Sequence, residues 1–147
     1  MKIAVACDHG GLDLKNAAAR HLKEKGYEIA DFGTYTKDSC DYPDFARAAA
    51  EAVAAGECAY GVLVCSTGIG ISIAANKVKG IRCALCHDTY SAKYTRLHNN
   101  ANMIAFGQKI IGEGLMLEIL DVFFATPFEG GRHQRRVDKI TEIENGR

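Results

Sequence analysis

Short apolar segments alternate along the chain with longer amphipathic segments, and this order most constrains the possible folds. The apolar segments have the length of buried strands, whereas the amphipathic segments have helical spacing, so the order is that of successive βαβ units. The predicted strands are Lys2–Cys7, Tyr27–Phe32, Tyr60–Val64, Arg82–Cys86 and Asn102–Phe106. Five strands in this arrangement predict an α/β fold: a doubly wound, Rossmann-like, five-stranded parallel sheet with helices on both faces.

The predicted helices between these strands have recognisable ends. Glycine follows the first two, proline begins the second, and Asp88 is placed to cap the fourth. The helices are Leu12–Lys25, Pro43–Ala54, Gly70–Val78, Thr89–His98 and Gly114–Ala125. No linker or internal repeat interrupts the pattern, and 147 residues suffice for an independent core, so residues 1–147 are expected to form a single domain.

The last segment, Glu129–Asn145, differs from the other predicted helices. It is highly charged, and its apolar stripe is narrow, consisting of Val137, Ile140 and Ile143. A helix with so little apolar surface is expected to pack on a partner subunit rather than on its own core.

Composition narrows the function classes. Lysine plus arginine and aspartate plus glutamate number 18 each, so no net charge draws the chain to nucleic acid or to an anionic membrane. No apolar run approaches the length of a membrane span, and the first residues lack a signal-peptide pattern. The six cysteines lie mostly in apolar runs without recurrent zinc-type spacing, which indicates reduced thiols and a cytoplasmic protein.

Polar clusters follow three of the predicted strands. They are Asp8–Gly11, Cys65–Ser72 and His87–Asp88. In parallel sheets, ligands bind beyond the carboxyl ends of the strands, near the point where the strand order reverses. These clusters are therefore the candidate site.

The segment Cys65–Ser72 is a glycine-punctuated turn between a buried strand and a helix. The free N–H groups of such a turn can hold an anion, and Gly68 and Gly70 let a ligand approach the backbone. The same field favours the thiolate form of Cys65. The alternative is a core cysteine that ends a strand, because cysteine is often buried.

Three further groups have both a functional and a structural interpretation. Asp8 and His9 could enter the site, or Asp8 could cap the first helix. His98 ends a helix, where the partial negative charge favours a protonated imidazole, but it could equally be a surface residue. The last group shares one face of the final helix and suits a phosphate or a solvated basic surface: Arg132, His133 and Arg136.

Taken together, the motifs resemble the ribose-5-phosphate isomerase B family, which also includes galactose-6-phosphate isomerase subunits. The resemblance covers nearly the whole chain. The matching motifs are Cys7–Gly11, Asp31–Thr34, Asp41–Pro43, Cys65–Lys77, His98–Asn99, Asn102 and Gly130–Val137. It implies interconversion of an aldose phosphate and a ketose phosphate without a metal or other cofactor, in a homodimer or homotetramer whose active sites use both subunits.

The resemblance also implies roles for individual residues. Cys65 would be the base that moves a proton between C1 and C2, while His98 and Asp8 would assist opening of the sugar ring. Thr67 and the turn that follows it would hold the enediolate oxygen. The expected substrate-binding residues are His9, Ser66, Gly68, Ile69, Gly70, Ser72, Asn99, Arg132, His133 and Arg136. Of these, the C-terminal arginines, together with His98, are expected to come from the partner subunit.

One position departs from the family pattern, because Ser66 stands where glycine is common. The added hydroxyl narrows the pocket or contacts the sugar, which leaves the precise substrate open. A six-carbon sugar phosphate such as allose 6-phosphate is an alternative substrate. A different class of function is a non-catalytic phosphate- or nucleotide-binding module. The absence of a G-x-G-x-x-G after the first strand and of a P-loop lysine counts against that class.

Overall fold

A computed structural model describes residues 1–147 and contains five strands and six helices. The strands are β1 (Lys2–Cys7), β2 (Glu28–Asp31), β3 (Tyr60–Cys65), β4 (Cys83–Leu85) and β5 (Met103–Gly107). The helices are α1 (Leu12–Glu24), α2 (Tyr42–Ala54), α3 (Ile69–Ala75), α4 (Thr89–Asn99), α5 (Glu113–Ala125) and α6 (Arg132–Glu144). No helix combines the length and the hydropathy needed to cross a membrane.

The five strands form one parallel sheet in the order β2-β1-β3-β5-β4, which confirms the predicted fold class. The order in which strands are added switches sides at β1: β2 is placed on one side of it, and β3 and the later strands are placed on the other. In the register, Cys7 lies beside Val64, and Cys65 lies beside Gly107. The carboxyl ends of β1, β3 and β5 are therefore neighbours, and the loops that follow them meet.

The sheet is covered on both faces, as its apolar strands predict. Val62 and Val64 face a core shared with α1, α4 and α5, whereas Leu63 and Cys65 face a core shared with α2 and α3. This alternation follows from the two-residue period of a strand. It places the Cys65 side chain on the α2–α3 side, directly below the turn into α3.

Two elements near the β4 edge are shorter than predicted. Helix α3 ends at Ala75 rather than at Val78, and β4 covers only three residues. The reason is a pair of hydrogen bonds between the Asn76 side chain and the backbone of β4. The Asn76 amide donates to Cys83 O at 2.9 Å and accepts from Cys83 N at 2.8 Å. This side chain satisfies backbone groups of an edge strand that no further strand pairs.

Helix α6 packs on α4 of the same chain through His133 and Val137, which are buried. The rest of its apolar stripe is left outside, since Ile140 is 48% exposed and Ile143 is 74% exposed. The packing of this helix on a partner subunit stays a prediction.

Candidate active site

The sequence-predicted site residues fall at two places on the fold. One group follows β1 and β3 at the carboxyl edge of the sheet: Asp8, His9, Cys65, Ser66, Thr67, Gly68, Ile69, Gly70 and Ser72. The other group lies at the end of α4 and the start of α6: His98, Asn99, Arg132, His133 and Arg136.

Within one chain, these two groups lie at opposite ends of the parallel strands: the first at the carboxyl edge of the sheet and the second at its amino edge. Helix α4 connects β4 to β5, and because both strands are parallel, it starts at the carboxyl edge and ends at the amino edge. The Arg82 guanidinium, just before β4, donates through Nε to Asn99 O at 3.0 Å. The structure therefore does not bring His98 and Cys65 together in a single subunit.

At the carboxyl edge, the Cys65 sulfur accepts a hydrogen bond from the backbone N–H of Gly68 at 3.1 Å. The side chain is only 4% exposed, so little water competes for this bond. The sulfur is therefore held at the start of α3 by a backbone donor of the turn. The predicted arrangement of a thiol within a glycine turn is thus present in the structure.

The turn depends on glycine at position 68. Gly68 has a φ of 76°, which side-chain-bearing residues rarely adopt, and a Cβ there would lie 2.7 Å from the backbone carbon of Phe106. The Thr67 hydroxyl accepts from Ile69 N at 3.2 Å, and the Ser72 hydroxyl donates to Ile69 O at 2.7 Å. Neither Gly70 N–H nor Ile71 N–H has a hydrogen-bond partner in the protein, as expected at a helix start.

Asp8 lies beside this turn and does not cap α1, so the capping interpretation of this residue is wrong. Its carboxylate accepts from Gly10 N at 2.8 Å, and α1 has no side-chain cap of its own. Asp8 is buried, and its backbone N–H donates to Val64 O at 3.3 Å. The loop after β1 is therefore fastened to the end of β3.

His9 is held by a residue that the sequence did not single out. Cys40 N–H donates to His9 Nδ1 at 3.2 Å, so a neutral His9 carries its proton on Nε2 and presents that N–H as a donor. The loop before α2 supplies this contact, and no motif of the sequence pointed to it.

The segment after β5 was also missed, because its place in the site depends on the strand order. The N–H of Gln108 donates to Cys65 O at 2.9 Å, and that of Lys109 donates to Ser66 O at 3.0 Å. Gly107 N–H donates to His87 Nε2 at 2.9 Å. The contacts of Gln108 and Lys109 thus fix the backbone of the Cys65 turn to the segment that follows β5.

At the amino edge, His98 and His133 stack with 4.1 Å between their ring centroids. His133 is 3% exposed, its Nε2 has no hydrogen-bond partner, and Glu129 Oε2 lies 3.7 Å from that atom. Burial, aided by the charges of His98 and Arg132, lowers the pKa of His133 below its usual value. Arg132 and Arg136 are exposed on the same helix and are available to an anion.

Comparison with known proteins identifies the family. The family model described as Ribose/Galactose Isomerase matches residues 3–140. The chain belongs to the ribose/galactose isomerase family. A putative sugar phosphate isomerase of Bacillus subtilis is 51% identical, over 98% of this chain and 97% of its own, and ribose-5-phosphate isomerase B of Escherichia coli is 49% identical, over 99% and 98%. The solved structure of ribose-5-phosphate isomerase B from Clostridium thermocellum has a TM-score of 0.98 at 52% identity and covers 99% of each chain.

A metal site in this isomerase would have to use His98, Glu129 and His133, whose ligand atoms lie within 4.8 Å of one another. The two imidazoles are 12° from parallel, however, so their lone pairs lie in separate planes about one ring thickness apart. A shared ion would require one ring to turn. The donor set is therefore present, but its orientation does not favour coordination.

A cavity of about 950 Å³ in the isomerase runs along β4, α4 and α6. Its walls include His98 and Asn99 but not Cys65. Tyr90, Ile140 and Ile143 add exposed apolar surface to the same groove. The groove beside His98 and the Cys65 sulfur are therefore separate within one chain.

Proposed function

We propose that this isomerase interconverts ribose 5-phosphate and ribulose 5-phosphate through an enediolate, with Cys65 as the base. The observation that carries the proposal is the hydrogen bond from Gly68 N–H to the Cys65 sulfur at the turn into α3. The relative named ribose-5-phosphate isomerase B, at 49% identity over nearly the whole chain, supports the choice of substrate.

In the proposed reaction, the sugar first opens to its aldehyde. The Asp8 carboxylate, together with His98 of a partner subunit, moves the proton that ring opening requires. The Cys65 thiolate then removes the proton from C2, and the electron pair forms the C1–C2 double bond while the carbonyl oxygen at C1 becomes an enediolate oxygen. The hydroxyl proton on the C2 oxygen then passes to the C1 oxygen, so that the negative charge lies on the C2 oxygen. Return of the carbon-bound proton from Cys65 to C1, with collapse of the C2 oxygen to a carbonyl, gives ribulose 5-phosphate and regenerates the thiolate.

The N–H groups at the start of α3 supply the charge stabilisation for this step. Gly70 and Ile71 each have an N–H without a protein partner, and the Thr67 hydroxyl stands beside them. Donors fixed in place before the reaction can each stabilise a developing oxyanion by about 3 kcal/mol. This cradle fits the charge that forms on the enediolate oxygen rather than the neutral carbonyl.

We propose that the complete site spans two subunits of a homodimer, or of a homotetramer built from such dimers. His9 would meet the phosphate from one subunit, and Arg132 and Arg136 would meet it from the other. The supporting observation is that the two residue groups lie at opposite edges of the sheet in one chain, whereas the groove beside His98 is open. Binding of the distant phosphate would then hold the reacting carbons in place and be converted into rate.

An assay of ribose 5-phosphate isomerisation tests the proposal. Cys65→Ala is expected to lower kcat about a thousandfold, as loss of a general base does, while calorimetry still detects binding of the sugar phosphate. Cys58→Ala is the matched control, because Cys58 is an equally buried thiol that lies before β3, away from the turn. Near-normal turnover in the Cys65→Ala enzyme would contradict the assignment of the base.

A six-carbon sugar phosphate is the second candidate substrate, since the family description includes galactose isomerases. The Ser66 hydroxyl lies against Gly10, in the space that a side chain at position 10 would occupy. We expect this added volume beside the Cys65 turn to favour the five-carbon sugar. Values of kcat/KM for ribose 5-phosphate and allose 6-phosphate, measured side by side, decide between the two.

A further inference from the structure

We infer that Gln108 is a positioning residue that fixes the loop carrying Asp8 and His9 relative to Cys65. Gln108 directly follows β5, which pairs with β3, and it precedes α5 in the chain. Its backbone N–H donates to Cys65 O at 2.9 Å, and its side-chain Oε1 accepts from Leu14 N at 3.0 Å. One residue thus holds the Cys65 turn with its backbone and α1 with its side chain.

The contact with Leu14 replaces a missing helix cap. Leu14 N–H belongs to the first turn of α1, where no carbonyl of the helix itself can accept it. Gly11, at the cap position, has no side chain to offer, and no other side chain caps the helix. Because a backbone N–H can only donate, this bond also fixes which way the Gln108 amide faces, with its oxygen toward α1.

Backbone hydrogen bonds connect the first turn of α1 to the loop that carries Asp8. Gly11 N–H donates to Asp8 O at 3.1 Å, and Lys15 N–H donates to Gly11 O at 3.0 Å. A Cβ on Gly11 would lie 2.4 Å from Val64 O, so this loop already touches the end of β3 backbone to backbone. Gly11 therefore fixes the loop to β3, and Gln108 holds the first turn of α1 that follows it.

This inference rests on the proposed function, in which Asp8 and Cys65 act on the same sugar. A misplacement of about 1 Å between groups that act together can cost a hundredfold in rate. Two of the three proposed phosphate contacts, Arg132 and Arg136, would come from the partner subunit, and the third, His9, is also held by Cys40 N–H. Loss of the Gln108 contact is therefore expected to lower kcat far more than it raises KM.

The test compares Gln108→Met, which keeps the length of the side chain but has no acceptor, with Gln108→Glu, which keeps an oxygen at the same reach. We expect Gln108→Met to lower kcat between about tenfold and a hundredfold with KM within about threefold, and Gln108→Glu to stay within about threefold of wild type. Gln108→Asn, whose amide is one methylene too short, should fall in the same direction and serves if the Met variant does not fold. Ile119→Val is the control for lost stability, because it removes a buried methylene on α5 without touching either loop.

A second readout separates positioning from a general loss of stability. If Gln108 acts through the loop that carries Asp8, adding Gln108→Met to Asp8→Ala should lower kcat far less than it does in the wild type. Equal effects in both backgrounds, a wild-type kcat in Gln108→Met, or an equal kcat loss in Ile119→Val would overturn the inference. The proposed function fails separately, if the wild type does not isomerise ribose 5-phosphate or if Cys65→Ala retains normal turnover.

Discussion

The imidazole rings of His98 and His133 lie face to face, with 4.1 Å between their centroids and 12° between their planes. Burial of His133, together with the nearby His98 and Arg132, lowers the pKa of His133, while Glu129 acts in the opposite direction. The structure therefore favours the neutral form of His133, whose ring packs against the face of the His98 ring.

The lowered pKa of His133 predicts a pH dependence of stability. The unfolded chain binds a proton at this imidazole near pH 6.5, whereas the folded chain binds it only at a lower pH. The free energy of unfolding is therefore highest above pH 6.5 and decreases as the pH falls toward the lower pKa of the folded state. Urea unfolding at pH 7 and at pH 5.5 measures the loss. We expect His133→Gln to lose less free energy of unfolding between these two pH values than the wild type, and equal losses would contradict the assignment.

Separate placement of the two residue groups predicts complementation between inactive subunits. In a mixed dimer of Cys65→Ala and His98→Asn, one site carries both changes and the other carries neither. Mixed dimers isolated with two affinity tags are expected to recover about half of the wild-type turnover per dimer, because a twofold axis generates two equivalent sites. Activity no greater than that of the two parent dimers would show that each site is built within one subunit.

The buried Lys15 predicts a large loss of stability on removal of its charge. Lys15 Nζ is 1% exposed by side chain, binds both Asp31 carboxylate oxygens at 2.8 and 2.9 Å, and donates to Thr34 O at 3.0 Å. Lys15→Met leaves the carboxylate without its partner, which is expected to cost about 3 kcal/mol in the free energy of unfolding. Arg47→Met is the control, because the pair of Arg47 with Glu51 is exposed to solvent and its loss is expected to change the free energy of unfolding very little.

If Lys15→Met and Arg47→Met lowered the free energy of unfolding equally in urea titrations, the burial of the Lys15 pair would have no energetic consequence. The pair also anchors the segment that leads to Cys40 and hence to His9. Its loss is therefore expected to raise KM for the sugar phosphate as well.

Glycine 68 predicts a combined loss of stability and activity. Gly68 and Gly80 both have positive φ, at 76° and 86°, but a Cβ on Gly68 meets the Phe106 backbone whereas one on Gly80 meets nothing within 4 Å. Gly80→Ala should cost about 1 kcal/mol from backbone strain alone. Gly68→Ala should cost more and should also lower kcat, because the Gly68 N–H moves off the Cys65 sulfur; thermal unfolding and the isomerase assay measure both. Equal stability and normal turnover in the two variants would contradict this account of the turn.

The fold was predictable from the sequence because the strands are short apolar runs and the helices have clear limits. Proline or Asp88 marks the start of a helix, and glycine marks its end. Asp88 does cap α4, accepting from Ser91 N at 2.6 Å. The errors lie at the β4 edge, where the Asn76 side chain ends α3 early. Such a contact joins residues seven apart through side-chain geometry, which periodicity does not record.

The part of the site that was predictable from the sequence is the part formed by residues that directly follow a predicted strand. The turn after β3 and the neighbouring Asp8 follow from the parallel sheet, but the braces from Cys40 and Gln108 depend on loops that meet only once the strand order is known. The remote position of His98 likewise follows from the direction of α4, and its expected origin in a partner subunit came from the family resemblance rather than from spacing.

Proton transfer at the sugar carbons is the central claim, and exchange with solvent measures it most directly. With ribulose 5-phosphate in deuterated water, nuclear magnetic resonance follows the replacement of one C1 hydrogen by deuterium, a step that needs the base but not ring closure. We predict that the wild type and the Cys58→Ala enzyme exchange this hydrogen, while Cys65→Ala, still binding the sugar phosphate, does not. Exchange at the wild-type rate in Cys65→Ala would show that another group moves the proton.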